Sequence, residues 1–183
     1  MKSIFITTFI VAILIGMDVL ADEGYVLKEG DVINISVWGE DTLNKTARVL
    51  PDGSVSFPLA GTFSVLNMSA NQVEKKIAKK LKEFISEPHV SVVIEATEGN
   101  RIFVLGKVLQ PGAIVMTTPM TVSQALSLSG GLNKFAEDDN ITILRSQSDK
   151  GKKRLSVKYS DIISGKDFST NHQLKAGDTI LVP

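Results

Sequence analysis

The chain writes Leu-Lys-x-Gly-Asp-x-Ile twice, as "LKEGDVINI" from Leu27 and as "LKAGDTILV" from Leu174, near the two ends of 183 residues. The flanks differ: Trp38-Gly39-Glu40 follows the first copy, whereas Pro183 follows the second. No other segment recurs at matching spacing, so this is one local device used twice and not an internal repeat. Gly30 and Gly177 can take positive φ without a Cβ clash, and Asp31 and Asp178 can cap the turn. β-branched residues follow at once in both copies, so each turn launches a strand.

Residues 1–21 read as an export leader. Lys2 supplies the positive start, Ile4 to Gly16 the apolar stretch, and Val19-Leu20-Ala21 the approach to a cut between Ala21 and Asp22. The apolar run falls short of the roughly 20 residues that span a bilayer, and Asp18 sits where a span is still dry. The alternative is an uncleaved anchor. Without cysteine there is neither a disulfide nor a lipid-bearing amino-terminal cysteine. The reading is an exported bacterial protein with a soluble mature part.

Lys plus Arg and Asp plus Glu stand at 20 each, and a neutral chain lacks the basic face that nucleic acid demands. Hydrophobic residues at 43% are enough for a true core. With one Trp and two Tyr, a deep aromatic sugar pocket is disfavoured.

Val32 to Val37 alternates at Ile33, Ile35 and Val37, as a half-buried strand does. "RVLPDGSVSFP" signals a hairpin: Pro51 presets φ, Asp52 bonds back to the backbone, Gly53 takes the left-handed position, and Val55 and Phe57 share a face. "TFSVL" at 62–66 continues as a strand. Ser69 and Gln72 form a capping box, and Val73, Ile77, Leu81 and Ile85 follow at intervals of four, giving an amphipathic helix over 70–85 that ends before Pro88. "HVSVVIEA" is a strand that closes this unit, and the polar break 97–100 is the boundary between units 22–97 and 98–183.

The second half opens with "RIFVLGKV", a strand interrupted at Gly106 where another backbone can approach closely. Gln110-Pro111-Gly112 reads as a type II turn, and "AIVM" returns as a strand. Thr121 and Gln124 make a second capping box, and Gly130-Gly131 stops that helix. "ITILR" and "LSVKY" bracket the polar "SQSDKGKK" as a hairpin, and the polar turn segment 160–171 leads to the closing strand. The sum is α+β, with a helix laid across a mixed sheet in the first unit.

Chemistry-bearing constellations are thin. His89 and His172 lie in different halves with no ligand spacing around them, and "EDDN" at 137–140 lacks the glycine and distal glutamate of a calcium loop. Gly130-Gly131 follows a helix where a phosphate loop would open one, and G-x-S-x-G is absent. No metal, cofactor or catalytic set emerges, so the chain reads as a non-enzyme. Lys75, Lys76, Lys79, Lys80 and Lys82 read as a solvated helix face, with contact to an anionic polymer as the functional alternative. Lys150, Lys152, Lys153 and Arg154 read as a charged hairpin that discourages edge pairing.

In order, "GDVINISVWGEDTLN", "VLPDGSVSFPLAGTFSV" and "EPHVSVVI" resemble the amino-terminal domain of bacterial outer-membrane polysaccharide export proteins. "FVLGKVLQPGAIVM", "TVSQALSLSGGL" and "NITILR" are similar to the soluble-ligand-binding β-grasp (ubiquitin-like) domain that follows it in that family. Asp52, Gly53, Pro58, Gly61, Pro88 and Val90 match the pattern of the first domain. Gly106, Pro111, Gly112, Gly130, Gly131 and Arg145 match the second. The resemblance implies turn- and edge-shaping roles for these residues between neighbouring protomers. It also implies a periplasmic homo-oligomeric ring for capsule or exopolysaccharide, joined to an inner-membrane copolymerase. Many family members are lipoproteins, and larger ones carry further β-grasp domains and a carboxy-terminal helix across the outer membrane. Here no cysteine is present and the last strand ends the sequence, so the expectation is a short form that relies on a separate outer-membrane β-barrel porin. The competing expectation is a monomeric periplasmic glycan-binding or adaptor module.

Overall fold

In the computed structural model, which describes residues 24–147 and 151–183, both Gly-Asp turns close through the same set of bonds. Gly30 takes φ +93° and Gly177 φ +83°. One carboxylate oxygen of Asp31 accepts from the Lys28 N–H at 2.8 Å, and Asp178 accepts from the Lys175 N–H at 2.8 Å. Gly30 N–H donates to Val49 O and Gly177 N–H to Arg101 O. The Asp31 carbonyl accepts from Val49 N–H, and the Asp178 carbonyl from Phe103 N–H. Each turn is thereby stitched to a neighbouring segment before its own strand begins.

The first turn launches β1, Val32–Val37, whose Ile33, Ile35 and Val37 are buried while the alternate residues are half-exposed. A 3-10 turn at Asp41–Leu43 leads to β2, Lys45–Arg48, which pairs antiparallel with β1. β3, Ser54–Phe57, and β4, Gly61–Ser64, form a separate two-stranded hairpin. Helix α1, Ala70–Leu81, begins at the Ser69–Gln72 capping box and buries Val73, Ile77 and Leu81. β5, Val90–Ala96, returns antiparallel to β1, giving the order β2-β1-β5. These elements enclose one apolar cluster from Leu27 to Val92.

The second unit holds β6, Arg101–Gly106, β7, Gly112–Val115, and helix α2, Val122–Leu128. Then follow β8, Ile141–Gln147, β9, Gly151–Val157, the short helix α3, Tyr159–Ile163, and β10, Thr179–Val182. The sheet order is β7-β6-β10-β8-β9, with β10 parallel to β6 and antiparallel to β8. Val122, Ala125 and Leu126 of α2 join Ile102, Val104, Ile143 and Ile180 in a second buried cluster. The protein is therefore α+β.

Gly106 sits at the tightest point of this sheet. Its φ is +98°, and a Cβ there would collide with the Val182 carbonyl oxygen, which accepts from Lys107 N–H. The close backbone approach read from the interrupted strand is the β6–β10 parallel pairing itself.

Five expectations need correction. Parallel pairing is confined to the second unit, and the first sheet is antiparallel throughout, because the crossover through α1 lands β5 antiparallel on β1. The Pro51-Asp52-Gly53 turn does close, with Gly53 at φ +74° and Ser54 N–H bonded to the Asp52 carboxylate at 2.9 Å, but no ladder follows it. β2 pairs with β1 and leaves its outer edge open, while β3 pairs with β4 in a separate hairpin. The first helix ends at Leu81 and not at 85: Phe84 and Ile85 N–H both bond Leu81 O, and the chain then passes Glu87 at φ +54° directly before Pro88. Gly112 has φ +156°, far from the roughly +80° of a type II turn. The approach to it is held by the glycine corner, through Leu109 N–H to Gly131 O and Gln110 N–H to Ser129 O. Finally, the polar segment 160–171 contains most of α3, whose Ile162 is buried. The 148–150 tip, with Lys150, and the leader with Ala21 and Asp22 lie outside the described residues.

Two substitutions check this architecture. Gly106→Ala should lower stability by at least about 3 kcal/mol, since it adds both left-handed strain and a backbone collision, whereas Lys79→Ala on the exposed helix face should stay within about 0.5 kcal/mol. Chemical denaturation of both variants measures the contrast. Asp178→Ala should cost about 2–3 kcal/mol by the same measurement, because it strips Arg145 and the Lys175 N–H of their acceptor at once.

Candidate functional site

The two aspartates sit in equivalent turns but face different partners. Both are fully buried, at 0% exposure, so each carboxylate must be satisfied by the protein. Asp178 is held by Arg145 on β8, through Nε at 2.9 Å and Nη2 at 2.7 Å, and Nη2 also reaches Gln173 O at 2.8 Å. The Asp178 hydrogen bonds push the Arg145 guanidinium pKa up from its ordinary value. This fork ties β8 to the turn that launches β10. Gly177, Asp178 and Arg145, read separately from the sequence, form one cluster.

Asp31 has no cation in the same role. It accepts from the Tyr25 hydroxyl at 2.6 Å and from Gly99 N–H at 2.8 Å, and Gly99 belongs to the segment joining the two units. Gly99 lies so close to Glu29 O and the Lys28 side chain that any larger residue would displace the linker. Asn100 continues the clamp, its carbonyl accepting from Met116 N–H at 2.7 Å and its side chain donating to Met116 O. Arg48 adds a bond to Gly30 O at 2.8 Å and pairs with Glu98. The first unit is thus fastened to the second through a carboxylate, a linker amide and a side-chain amide. A cleft of about 530 Å³ opens beside this junction, with Tyr25 and Lys28 on one wall and Thr118, Pro119 and Lys175 on the other. Burial lowers the Lys28 ammonium pKa, partly countered by Asp31, and burial with the Asp31 bond drives the Tyr25 phenol pKa strongly up.

A second hollow, about 520 Å³, lies at the far end of the first sheet. Trp38 stands over it at 86% exposure, with Asp41, Asn44, His89 and Ser91 around it. Pro88, Val90 and His89 also border a shallower groove that continues to Asn71, Glu74 and Lys75 on α1.

The remaining motif residues are dispersed. Asp52 and Gly53 form the turn whose glycine packs against Leu66, and Asp52 is held below the usual carboxylate range by Ser54. Pro58 and Gly61 bracket the β3–β4 connection, in which Leu59 takes φ +61°. Pro111 follows residues pinned by Gly131, while Gly130 packs against Leu109. The lysine row divides: Lys76 and Lys80 lie over the Phe63 ring at 5.9 and 5.7 Å, covering it with their stems, while Lys75, Lys79 and Lys82 are exposed. In "EDDN", Asp139 accepts from Ser160 at the start of α3, and Glu137 accepts from Asn140 within the loop itself. Among the described residues no group of three His, Cys, Asp or Glu side chains is arranged to hold a metal. Sequence reasoning missed Gly99 and Asn100, whose partners lie further off in the chain, missed Tyr25 although its partner Asp31 is only 6 residues on, and passed over Trp38 as a mere flank.

The phenol at the junction gives a pH prediction. Its proton is held more firmly in the folded protein, so stability present below the ordinary tyrosine value near 10 is lost as pH climbs past it. Melting curves from about pH 8 to about pH 11 should fall steeply for the native chain and less steeply for Tyr25→Phe.

Comparison with known proteins follows the same division. Residues 20–95 match the polysaccharide biosynthesis/export protein family, and residues 100–182 match the SLBB domain, a β-grasp-like fold. The chain is 28% identical over 131 residues to the EPS I polysaccharide export outer membrane protein EpsA of Ralstonia nicotianae, covering 71% of this chain and 33% of that protein. It is 25% identical over 159 residues to the polysialic acid transport protein KpsD of Escherichia coli, covering 86% and 28% respectively. With the exopolysaccharide production protein ExoF of Rhizobium meliloti it shares 27% over 85 residues, 46% of this chain and 20% of that one. The alignments span a third or less of these relatives' length. Two matched domains in consecutive order across nearly all the described residues mean that the chain belongs to the polysaccharide biosynthesis/export protein family, with an SLBB domain behind its export domain.

Proposed function

We propose that this protein is a non-enzymatic, ring-forming periplasmic subunit that conducts capsule or exopolysaccharide from an inner-membrane copolymerase toward an outer-membrane pore. The observation that carries this reading is the pair of open sheets held in one fixed order. β2 and β5 are edges of the first sheet, β7 and β9 of the second, and each offers unpaired backbone groups to a neighbour. Identical subunits that cover one another's edges head to tail close into a ring when the rotation closes. The Asp31–Gly99 clamp supports such an assembly, because it holds the two sheets in register so that every protomer presents the same edges. The turn residues of the family motif then act by shaping those edges. The relatives carry polysaccharide export and polysialic acid transport in their names, and polymer transit is the corresponding role here.

Passage through the outer membrane is assigned to a separate β-barrel partner. No described helix is long and apolar enough to cross a bilayer. The described strands, at most 7 residues long, fall short of the roughly 9–11 that a membrane-spanning strand needs.

Analytical ultracentrifugation and particle images of the mature protein, alone and with its copolymerase, test the ring. Closed oligomers are expected, and a strict monomer at high concentration in both conditions would favour a glycan-binding or adaptor module. Deleting the gene should abolish polymer secretion. Liposome insertion and conduction of polymer-sized solutes by the mature protein alone would overturn the need for a barrel.

A further inference from the structure

Trp38 combines a rigid stem with an uncovered ring. Its N–H is tied to His89 O at 2.9 Å, the preceding Val37 N–H reaches the Asn44 side chain at 3.3 Å, and Glu40 N–H closes back on Val37 O at 3.1 Å. Gly39, at φ +79°, turns the chain away immediately afterwards. Val37 itself is buried. The indole is therefore fixed at its base by two strands and a turn while 86% of the residue faces solvent.

Its surroundings are mixed: Val37 and Val90 give the hollow an apolar wall, and polar groups form its rim. Asp41, Asn44, His89 and the hydroxyls of Ser36 and Ser91 ring the hollow of about 520 Å³, a size within the range of small-molecule sites. An apolar protein partner would call for a broader apolar patch than the indole, Val37 and Val90 supply here. A pyranose fits the combination: its axial C–H bonds present an apolar face to the electron-rich indole surface, while its equatorial hydroxyls reach a rim of carboxylate, amide, imidazole and hydroxyl groups. The adjoining groove shares His89 and Val90 and runs on to Asn71, Glu74 and Lys75, so the track continues beyond one ring, as a polymer requires.

We infer that Trp38 is the stacking platform of a weak saccharide subsite, with His89, Asp41 and Asn44 as its hydrogen-bonding rim, which contacts sugar residues of the transported polymer. The inference rests on the export reading above and adds to it a named point of contact. A single aromatic platform suits transit: binding must be favourable enough to guide the chain and weak enough to release it.

Trp38 is the only tryptophan in the chain, so intrinsic fluorescence reads this site without labelling. The mature protein is titrated with size-fractionated oligosaccharides from partial hydrolysis of the producing cell's own exopolysaccharide. A saturable change in Trp38 emission is expected. His89→Ala should weaken it by about fivefold, the effect of one lost hydrogen bond, and Lys79→Ala should leave it unchanged. Saturation-transfer NMR on the sugar should show binding to the native chain and its loss in Trp38→Ala, whose melting temperature should match the native value because the ring is exposed. A flat titration overturns the subsite, as does a Trp38→Ala variant that still binds. Emission that shifts with protein concentration in the absence of sugar also overturns it, since a second copy would then occupy the groove. Polymer secretion by the deletion strain separates the two readings. Intact secretion sinks the export role itself, whereas lost secretion with a flat titration sinks only the subsite.

Discussion

A carboxylate removed from water at the root of a strand is the constraint around which both halves of this protein are arranged. Asp31 and Asp178 are wholly buried, and an unmatched buried charge would be far too costly to persist. Each is satisfied first by the N–H three residues back, which closes the turn. The oxygens left over then recruit distant groups, and these differ: a guanidinium from β8 in one unit, a phenol and a linker amide in the other. The same local device thus produces cohesion within the second unit and attachment between the two units. Specificity lies in what the spare lone pairs find.

How much of this was legible from residues depends on the distance over which each feature acts. Features decided within a few positions were readable: the left-handed glycines, the Ser69–Gln72 box, and the alternation of Ile33, Ile35 and Val37. Gly106 was readable because a glycine inside a strand pattern marks a bulge or a close backbone approach, although its partner Val182 was not. Where a segment had to choose between partners, local chemistry was insufficient. Pro51-Asp52-Gly53 made its turn, but the strand after it paired onward with β4 and not back with β2, so the hairpin it advertised never formed a ladder. The Gly112 turn failed for a related reason, since the Leu109 and Gln110 N–H groups are drawn to carbonyls at 129–131 and Ala113 is taken into the β6–β7 pairing opposite Phe103.

The candidate sites follow the same rule. Arg145 came only through family resemblance, because nothing around "NITILR" announces a carboxylate waiting far along the chain. Tyr25 and Gly99 flank one buried oxygen pair yet lie at opposite ends of the first unit. Trp38 carried a signal that composition obscured: scarcity of aromatics argues against a deep pocket, but it says nothing about a single exposed ring whose backbone is pinned at a sheet's end.

The central position of β10 has a kinetic corollary. Its parallel register with β6, from Thr179 opposite Phe103 to Val182 opposite Gly106, joins the beginning of the second unit to its end. β8 also completes its inner side only against β10, so the five-stranded sheet stays divided until the last strand arrives. Such distant pairing raises contact order and defers the gain that offsets loop-closure entropy. The first unit, whose pairings all lie within its own residues, can collapse while the second is still emerging. Maturation therefore runs from the amino-terminal unit onward. Until it ends, the strand edges of the second sheet stand open, and a chaperone working in the same compartment would find its client there.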